Sequence, residues 1–594
     1  MTNPVSKQAA GQCVSFEKRW GSDVIADGLR ALGYDYLALV PGSSFRGLQD
    51  SIVNHLGNRG PTLVMCLHEV QSVFIAQGYA RAAGRPMAVA LHANVGLLNG
   101  AMGIFDAWCD RQPMMVIGGT GPVDAHRRRP WIDWVHTARD QGALVRNFVK
   151  WDDLPASAEA AVESLLRADQ ITRSEPRGPV YLCLDGTLQE TELTQPVVIP
   201  PVERFKPAEP PGATPKTIDA LIAALGRASN PVFLFGRGSR SLHAWGARVA
   251  LAERTGATVL SGLHAAAVFP TMHPSHILPP VGERPTEAEC QLLARADLVI
   301  SFDWHDLAGF LSARSGGSQT QAPIRARIAN VSLDGYLANG WSTDHQALAA
   351  VDIPVLADPD EVVSQLLAAI GTDAVPDRRS EGPHWGVAAA SRRQQPLGDR
   401  PMRVADLSFI VTSALKGIPS TFARLPFGWS PLACDFDHPL SFLGKDAGGT
   451  VGSGPGHTVG AALALKDHAR MVVGIIGDGD FAIGMQALWT AAHMDVPVLF
   501  IVANNRSYFN DEVHQERVAI ERDRPVENKW IGQRIDPAVD NAAIARAQGF
   551  DAYGPVTDER ALIELLPKAI GRVKAGGRVF IDVLVEGGYA DRQG

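Results

Sequence analysis

The chain has 594 residues, too many for one hydrophobic core, and at 46% hydrophobic and 20% charged residues it has the composition of a soluble globular protein. Its 55 Lys and Arg against 63 Asp and Glu give a net charge of -8, which excludes a broad basic face for nucleic acid. Six cysteines (Cys13, Cys66, Cys109, Cys183, Cys290, Cys434) form no CxxC pair, which argues against a zinc site or a disulfide framework. There is no signal-peptide core and no uninterrupted apolar run of 18 residues, so a cytoplasmic protein without a membrane partner is expected.

From 15 to 190 short apolar runs alternate with helical stretches. YLALVPG (Tyr36 to Gly42), PTLVMCLHE (Pro61 to Glu69), PMAVALHA (Pro86 to Ala93), PMMVIGG (Pro113 to Gly119) and GPVYLCLD (Gly178 to Asp185) each predict a strand running into a loop, the pattern of a parallel α/β domain. Seven prolines between Thr187 and Lys216 mark a linker over 191–215. A second α/β pattern covers 216–370, with a helix-like KTIDALIAALGRA and strands in PVFLFGRG, ATVLSG, ADLVISFD and ARIANVSLD. Its turn Gly236-Arg237-Gly238 lacks a full GxGxxG pattern, so a tight strand-to-helix turn is expected there rather than a phosphate loop. Residues 371–403, rich in Pro, Gly, Arg and Ser, read as a second linker, and 404–590 as a third domain. The expected fold is three successive parallel-sheet α/β domains.

The third domain holds the stretch with the clearest chemistry. MVVGIIG suits a strand buried on both faces, and Asp478 follows at its carboxyl end, where open α/β sheets place ligands. Met485 to Met494 reads as a crossover helix and Val496 to Val502 as the next strand, ending in Asn504 and Asn505. Parallel neighbours bring their carboxyl ends to one edge, so Asp478 and Asn505 can converge although 27 positions separate them. A carboxylate, an amide oxygen and a backbone carbonyl are hard ligands suited to Mg²⁺ that also holds phosphate.

With Gly477-Asp478-Gly479 followed by Asn504-Asn505, the sequence resembles the thiamine diphosphate-dependent enzymes of the acetolactate synthase, pyruvate decarboxylase and benzoylformate decarboxylase group, over nearly its whole length. The resemblance implies thiamine diphosphate and Mg²⁺, the metal held by Asp478, Asn505 and the main-chain oxygen of Ser507, in a site formed with Gly477 and Gly479. The three domains then read as pyrimidine-binding, middle and diphosphate-binding. Asp480, also counted in the cofactor site, stands where the family often has Ser or Ala; a second carboxylate there is repulsive unless it points away or meets a cation. Val451, in AGGTVGSGPGHTVGAALAL, is the candidate for the bulky residue that bends the cofactor, and His457 in the same run reads equally as a capped helix start or as a polar group near the cofactor. Glu69, in LHEV before GYA, matches the family's glutamate, whose carboxyl drives the aminopyrimidine to its imino form so that it can take the C2 proton. The resemblance also implies a homodimer or homotetramer with active sites at subunit interfaces, and it allows FAD in the middle domain, for which no residue pattern speaks.

The choice of reaction rests on fewer residues. Ser43, in Pro41-Gly42-Ser43, and His92, in Leu91-His92, match the benzoylformate decarboxylase branch, where the serine meets the substrate carboxylate and the histidine transfers protons. Ser43 reads equally well as a helix cap. Asn94 and Asn99 are weaker candidates on the same loop. His305, in DWHD, resembles that branch's second histidine, but the intervening length fits poorly and it stays outside the catalytic set. The implied activity is non-oxidative decarboxylation of a 2-oxo acid, an aromatic or bulky one among the candidates, through a C2 ylide and an enamine, with carboligation to an acceptor aldehyde from the same intermediate. The alternatives are an acetolactate synthase-like transferase moving a two-carbon unit, and a catalytically silent thiamine-fold binding or regulatory subunit. No basic anchor for an activated substrate is assigned, and the cluster His126-Arg127-Arg128-Arg129 reads as a solvated loop. Trp131 and Trp134 are expected at a pocket entrance or a subunit interface, and Tyr508 and Phe509 in a substrate pocket or in the core.

Overall fold

The computed structural model describes residues 19–282, 285–312, 324–336, 348–371, 397–398 and 400–587. The expected second linker lies mostly outside them. Three parallel sheets carry the fold. The first contains β1 (Tyr36–Leu39), β2 (Thr62–Met65), β3 (Met87–Leu91), β4 (Met114–Thr120), β5 (Asp152–Asp153) and β6 (Pro179–Asp185), in the order β2-β1-β3-β4-β6-β5. The second contains β7 (Pro231–Phe235), β8 (Thr258–Ser261), β9 (Leu298–Phe302), β10 (Arg327–Ser332) and β11 (Ile353–Leu356), in the order β11-β10-β9-β7-β8. The third contains β12 (Ser420–Arg424), β13 (Met471–Gly477), β14 (Val498–Asn504), β15 (Asp551–Val556) and β16 (Arg578–Leu584), in the order β12-β13-β14-β16-β15.

The apolar runs became strands because helices cover both faces of each sheet and leave no side of a central strand for water. Val473, Ile475, Ile476 and every residue from Val498 to Val502 are buried. The three expected α/β domains are present, but the chain condenses into two compact units: one comprises the first domain to Ala208 without Arg81–Gly84, and the other comprises those four residues and everything from Glu209 onward. The middle and third domains thus share a unit. The proline-rich stretch read as a linker is in part packed: Val197, Ile199, Val202 and Phe205 lie against the buried Val24, Val162 and Leu166 of the first unit. Its prolines fix an extended path along the domain surface.

Candidate active site

In the first unit, strand order reverses about β1, with β2 on one side and β3 on the other, and the crevice beyond such a switch point is where α/β sheets bind ligands. Ser43 follows β1, Glu69 follows β2 and His92 follows β3. His92 precedes the helix Ala93–Cys109, and its Nδ1 pairs with Ser44 Oγ at 2.9 Å; the same Oγ accepts the Ala93 N–H at 3.0 Å. That contact holds Ala93 at a φ of 41°, in the left-handed region. Gly42 leaves space for the imidazole: a Cβ there would lie 2.5 Å from His92 Cβ. The His136 ring stands edge-on to His92, with centroids 4.6 Å apart. Burial holds the His92 imidazole below its ordinary pKa, and His136 adds to the shift while Glu69 opposes it. Glu69 accepts from Asn99 Nδ2 at 3.3 Å, and Asn94 Nδ2 donates to the Val135 carbonyl at 3.1 Å. Asn99, a weaker candidate from sequence, therefore orients the carboxyl group.

The second unit contains a cavity of about 970 Å³ at the carboxyl edge of β13 and β14. Gly477 at the end of β13 pairs in register with Ala503 in β14, which sets Asp478 and Asn505 side by side on the cavity wall with Gly479, Ser507 and Val451. The Asp478 carboxyl is buried, and burial pushes it up to about 6 against the opposing pull of backbone N–H groups. A Cβ on Gly477 would meet no atom within 4 Å, and Val451 is 47% exposed although its neighbours Gly452 and Ser453 are buried. A buried carboxylate, open space over the glycine turn and an apolar side chain at the same cavity together fit a cation-held diphosphate cofactor. Among the described residues no group of three or more His, Cys, Asp and Glu could hold a metal.

Asp480 also borders the cavity, but its Oδ1 accepts the N–H groups of Gly452, at 2.7 Å, and Gly454, at 3.2 Å, at the start of the helix Ser453–Ala464. Its Oδ2 faces Arg424 Nε at 3.7 Å. The carboxylate the sequence left unexplained therefore meets both a helix N-terminus and a cation. His457 is buried inside that helix and does not reach the cavity wall. Tyr508 and Phe509 line the cavity, the Tyr508 ring packing over Gly479, whose added Cβ would lie 2.6 Å from it.

Three basic residues missed or set aside in the sequence stand in the same wall. His305 lines the cavity and accepts at Nδ1 from the Arg237 guanidinium at 2.8 Å. Length alone could not place it; the DWHD loop at the end of β9 carries it there. Arg237 is the middle residue of the glycine turn, whose purpose is thus a side-chain contact and close packing rather than a phosphate. His264 stacks on His305 with centroids 6.2 Å apart, and burial pushes it down to about 4. The Lys445 ammonium lies 4.9 Å from the centre of the Phe427 ring, and burial pushes it down to about 8. Of the cluster read as a solvated loop, Arg127 and Arg129 line a second pocket, in the first unit, with Ser43. Trp131 and Trp134 are 81% and 68% exposed, and neither is buried in a pocket of the chain.

Sequence models of the thiamine pyrophosphate enzymes match three parts of the chain: the N-terminal TPP binding domain at residues 19–144, the central domain at 218–366 and the C-terminal TPP binding domain at 427–583. Benzoylformate decarboxylase of Pseudomonas aeruginosa is 29% identical over 513 residues, 84% of this chain and 87% of that protein. Acetolactate synthase large subunit of Corynebacterium glutamicum is 26% identical over 517 residues, 84% of this chain and 77% of that protein. The solved structure of a thiamine diphosphate-dependent 4-hydroxybenzoylformate decarboxylase from Rhodococcus jostii RHA1 shares the fold, with a TM-score of 0.75 at 22% identity over 96% of this chain and 100% of that one.

Proposed function

Because the chain belongs to the thiamine pyrophosphate enzyme family, we propose that it catalyses the non-oxidative decarboxylation of a 2-oxo acid, with carboligation to an acceptor aldehyde as a second outcome. The observation that carries this reading is the pairing of Asp478 and Asn505 at adjacent strand ends in a cavity that also holds two histidines. Asp478, Asn505 and Ser507 would hold Mg²⁺ and the diphosphate, and Val451 would support the bent cofactor. When bound, thiamine diphosphate supplies the carbon nucleophile and the electron sink that loss of CO₂ requires.

The chain's own residues supply the proton handling. Glu69, oriented by Asn99, presents a carboxyl group to the cofactor's pyrimidine. Ser43 meets the substrate carboxylate. His92 is held by Ser44 at Nδ1, which leaves Nε2 for exchange with the substrate side. Replacing CO₂ by hydrogen consumes one proton, and His92 or a water delivers it. His305 keeps its hydrogen on Nε2 when neutral, because an arginine is a donor only and occupies Nδ1. Glu69 and His92 belong to one unit, Asp478 and His305 to the other. A stripe of exposed apolar side chains on the helix Ala93–Cys109 (Val95, Leu98 and Met102) supports a homodimer or homotetramer in which two chains complete each site. A soluble, cytoplasmic enzyme accords with the lack, among the described residues, of a helix long and apolar enough to cross a membrane.

The transferase reading has one observation of its own, the Lys445 cation in the cavity wall, which could anchor an anionic acceptor. A panel of 2-oxo acids, with and without acceptor aldehydes or a second 2-oxo acid, separates the readings when CO₂ and carbon-bonded products are followed together. CO₂ with free aldehyde supports the decarboxylase. Product formed only with a second 2-oxo acid supports the transferase, and no turnover of any 2-oxo acid overturns both.

A further inference from the structure

A pocket of about 260 Å³ in the first unit lies beside Ser43, at the carboxyl ends of β4 and β6. Its wall is polar, and some of its polar atoms have no partner. Thr120, the last residue of β4, is 3% exposed and its Oγ1 has no hydrogen-bond partner. Thr187 Oγ1 and His136 Nδ1 are likewise buried without partners. Three buried polar atoms left unmatched around one space cost the fold free energy unless something in that space bonds to them.

The charges in the wall define what that is. Arg46 is paired with Glu190 at 2.6 Å, and Arg129 is clamped to Asp133 through Nη2 at 2.9 Å and Nε at 3.2 Å, so both carboxylates are already matched. Arg127 meets a carboxylate, that of Asp124, only at 3.9 Å. The lining is therefore three guanidinium groups against two carboxylates, with hydroxyl and imidazole groups between them. Two threonines and Arg127, whose side chain is 58% exposed, border this space, and such groups suit an oxyanion, which accepts from all of them once the hydroxyls turn toward it.

We propose that this pocket is a subsite for a second acidic group on the substrate, so that the preferred 2-oxo acid is a dianion whose distal carboxylate is held by Arg127, Thr120 and Thr187 while Ser43 meets the carboxylate that is lost. The proposal rests on the decarboxylase reading for the second half of that statement and on the pocket alone for the first. The volume admits a short acidic chain, and Ser43 is common to the pocket and to the site at the β1 and β3 loops.

Two measurements test it. Turnover of 2-oxoglutarate is compared with that of 2-oxopentanoate, which has the same chain length and no distal charge. The intact enzyme should favour 2-oxoglutarate in kcat/KM by tenfold or more, and Arg127→Gln and Thr187→Val should each reduce that ratio, the former by tenfold or more. A ratio that both variants leave unchanged overturns the proposal. Binding of succinate is followed by titration calorimetry. Saturable binding weakened tenfold by Arg127→Gln supports the subsite even in a protein that turns over no 2-oxo acid, and in that case it is the decarboxylase reading that fails. No saturation by succinate at 50 mM, with turnover indifferent to the distal charge, means the pocket holds water only and overturns it.

Discussion

Arg237 donates to Nδ1 of His305 at 2.8 Å, so a residue of the middle domain's first turn fixes the tautomer of an imidazole in the cavity beside Asp478. Arg237→Met removes that donor and lets the ring carry its hydrogen on either nitrogen. The expected result is a fall in kcat of about 10-fold with a smaller change in KM, partly restored by Arg237→Lys. Steady-state kinetics of the three proteins check it.

Asp478 is the strongest candidate for holding the metal. Asp478→Ala should weaken thiamine diphosphate binding by more than about 100-fold, and EDTA should remove the intact enzyme's activity in a way that Mg²⁺ restores. Cofactor titration by tryptophan quenching measures the first and an activity assay the second. Full activity in a chelated, metal-free protein would remove Asp478 from the metal site.

Asp480 has a different duty. Asp480→Asn keeps an oxygen for the Gly452 and Gly454 amides and should retain cofactor affinity within a few-fold, whereas Asp480→Ala leaves them bare and should destabilise the protein by about 1–2 kcal/mol. Thermal unfolding distinguishes the two variants.

Lys445 sets an alkaline limit. Its ammonium is pushed down to about 8, so it loses charge as pH rises through that value, and an anion held by it is released in the same range. The KM for an anionic substrate should climb above pH 8. Lys445→Arg should abolish the climb, because a guanidinium stays charged there.

Buried histidines set the acid limit. His276, 1% exposed and hydrogen-bonded to Ser261, is pushed down to about 4 by burial. Between its unfolded value near 6.5 and that depressed folded value the unfolded chain binds the extra proton, so stability falls as pH drops through this window and is unaffected above it. The full loss is about 3 kcal/mol for this group once the pH is below both values. Urea unfolding at pH 7.5, 5.5 and 4.0 should show the decline, and His276→Gln should flatten it.

The motif from Gly477 to Asn505 was legible because both strands are buried on two faces and read as unbroken apolar runs, with the polar ligands standing directly after them. The crossover was less so: the helix Asp478–Gly484 precedes Gln486–His493, where one helix from Met485 to Met494 was expected. A two-residue edge strand such as β5, and β15 with its exposed middle, carry too little apolar pattern to be read. His305 escaped because sequence separation says nothing about which loops share a sheet edge. The donors to Asp480 were invisible for another reason: backbone N–H groups at a helix start have no letter in the sequence, so only the fold shows that a carboxylate is needed there. Arg127 and Arg129 looked like a charge run on a loop, and only the fold shows that Arg129 is clamped to Asp133.

Gly42 has no functional atom, yet it decides where His92 can be. A single methyl group at that position would occupy the volume of the imidazole base, so Gly42→Ala would displace the ring while leaving every polar group of the site in the sequence. A lesion there would be misread by any inventory of catalytic residues, since the inactive protein would possess all of them. The tolerance of this enzyme to change is therefore narrower than its list of reacting groups, and it extends to a position defined only by what must not fill it.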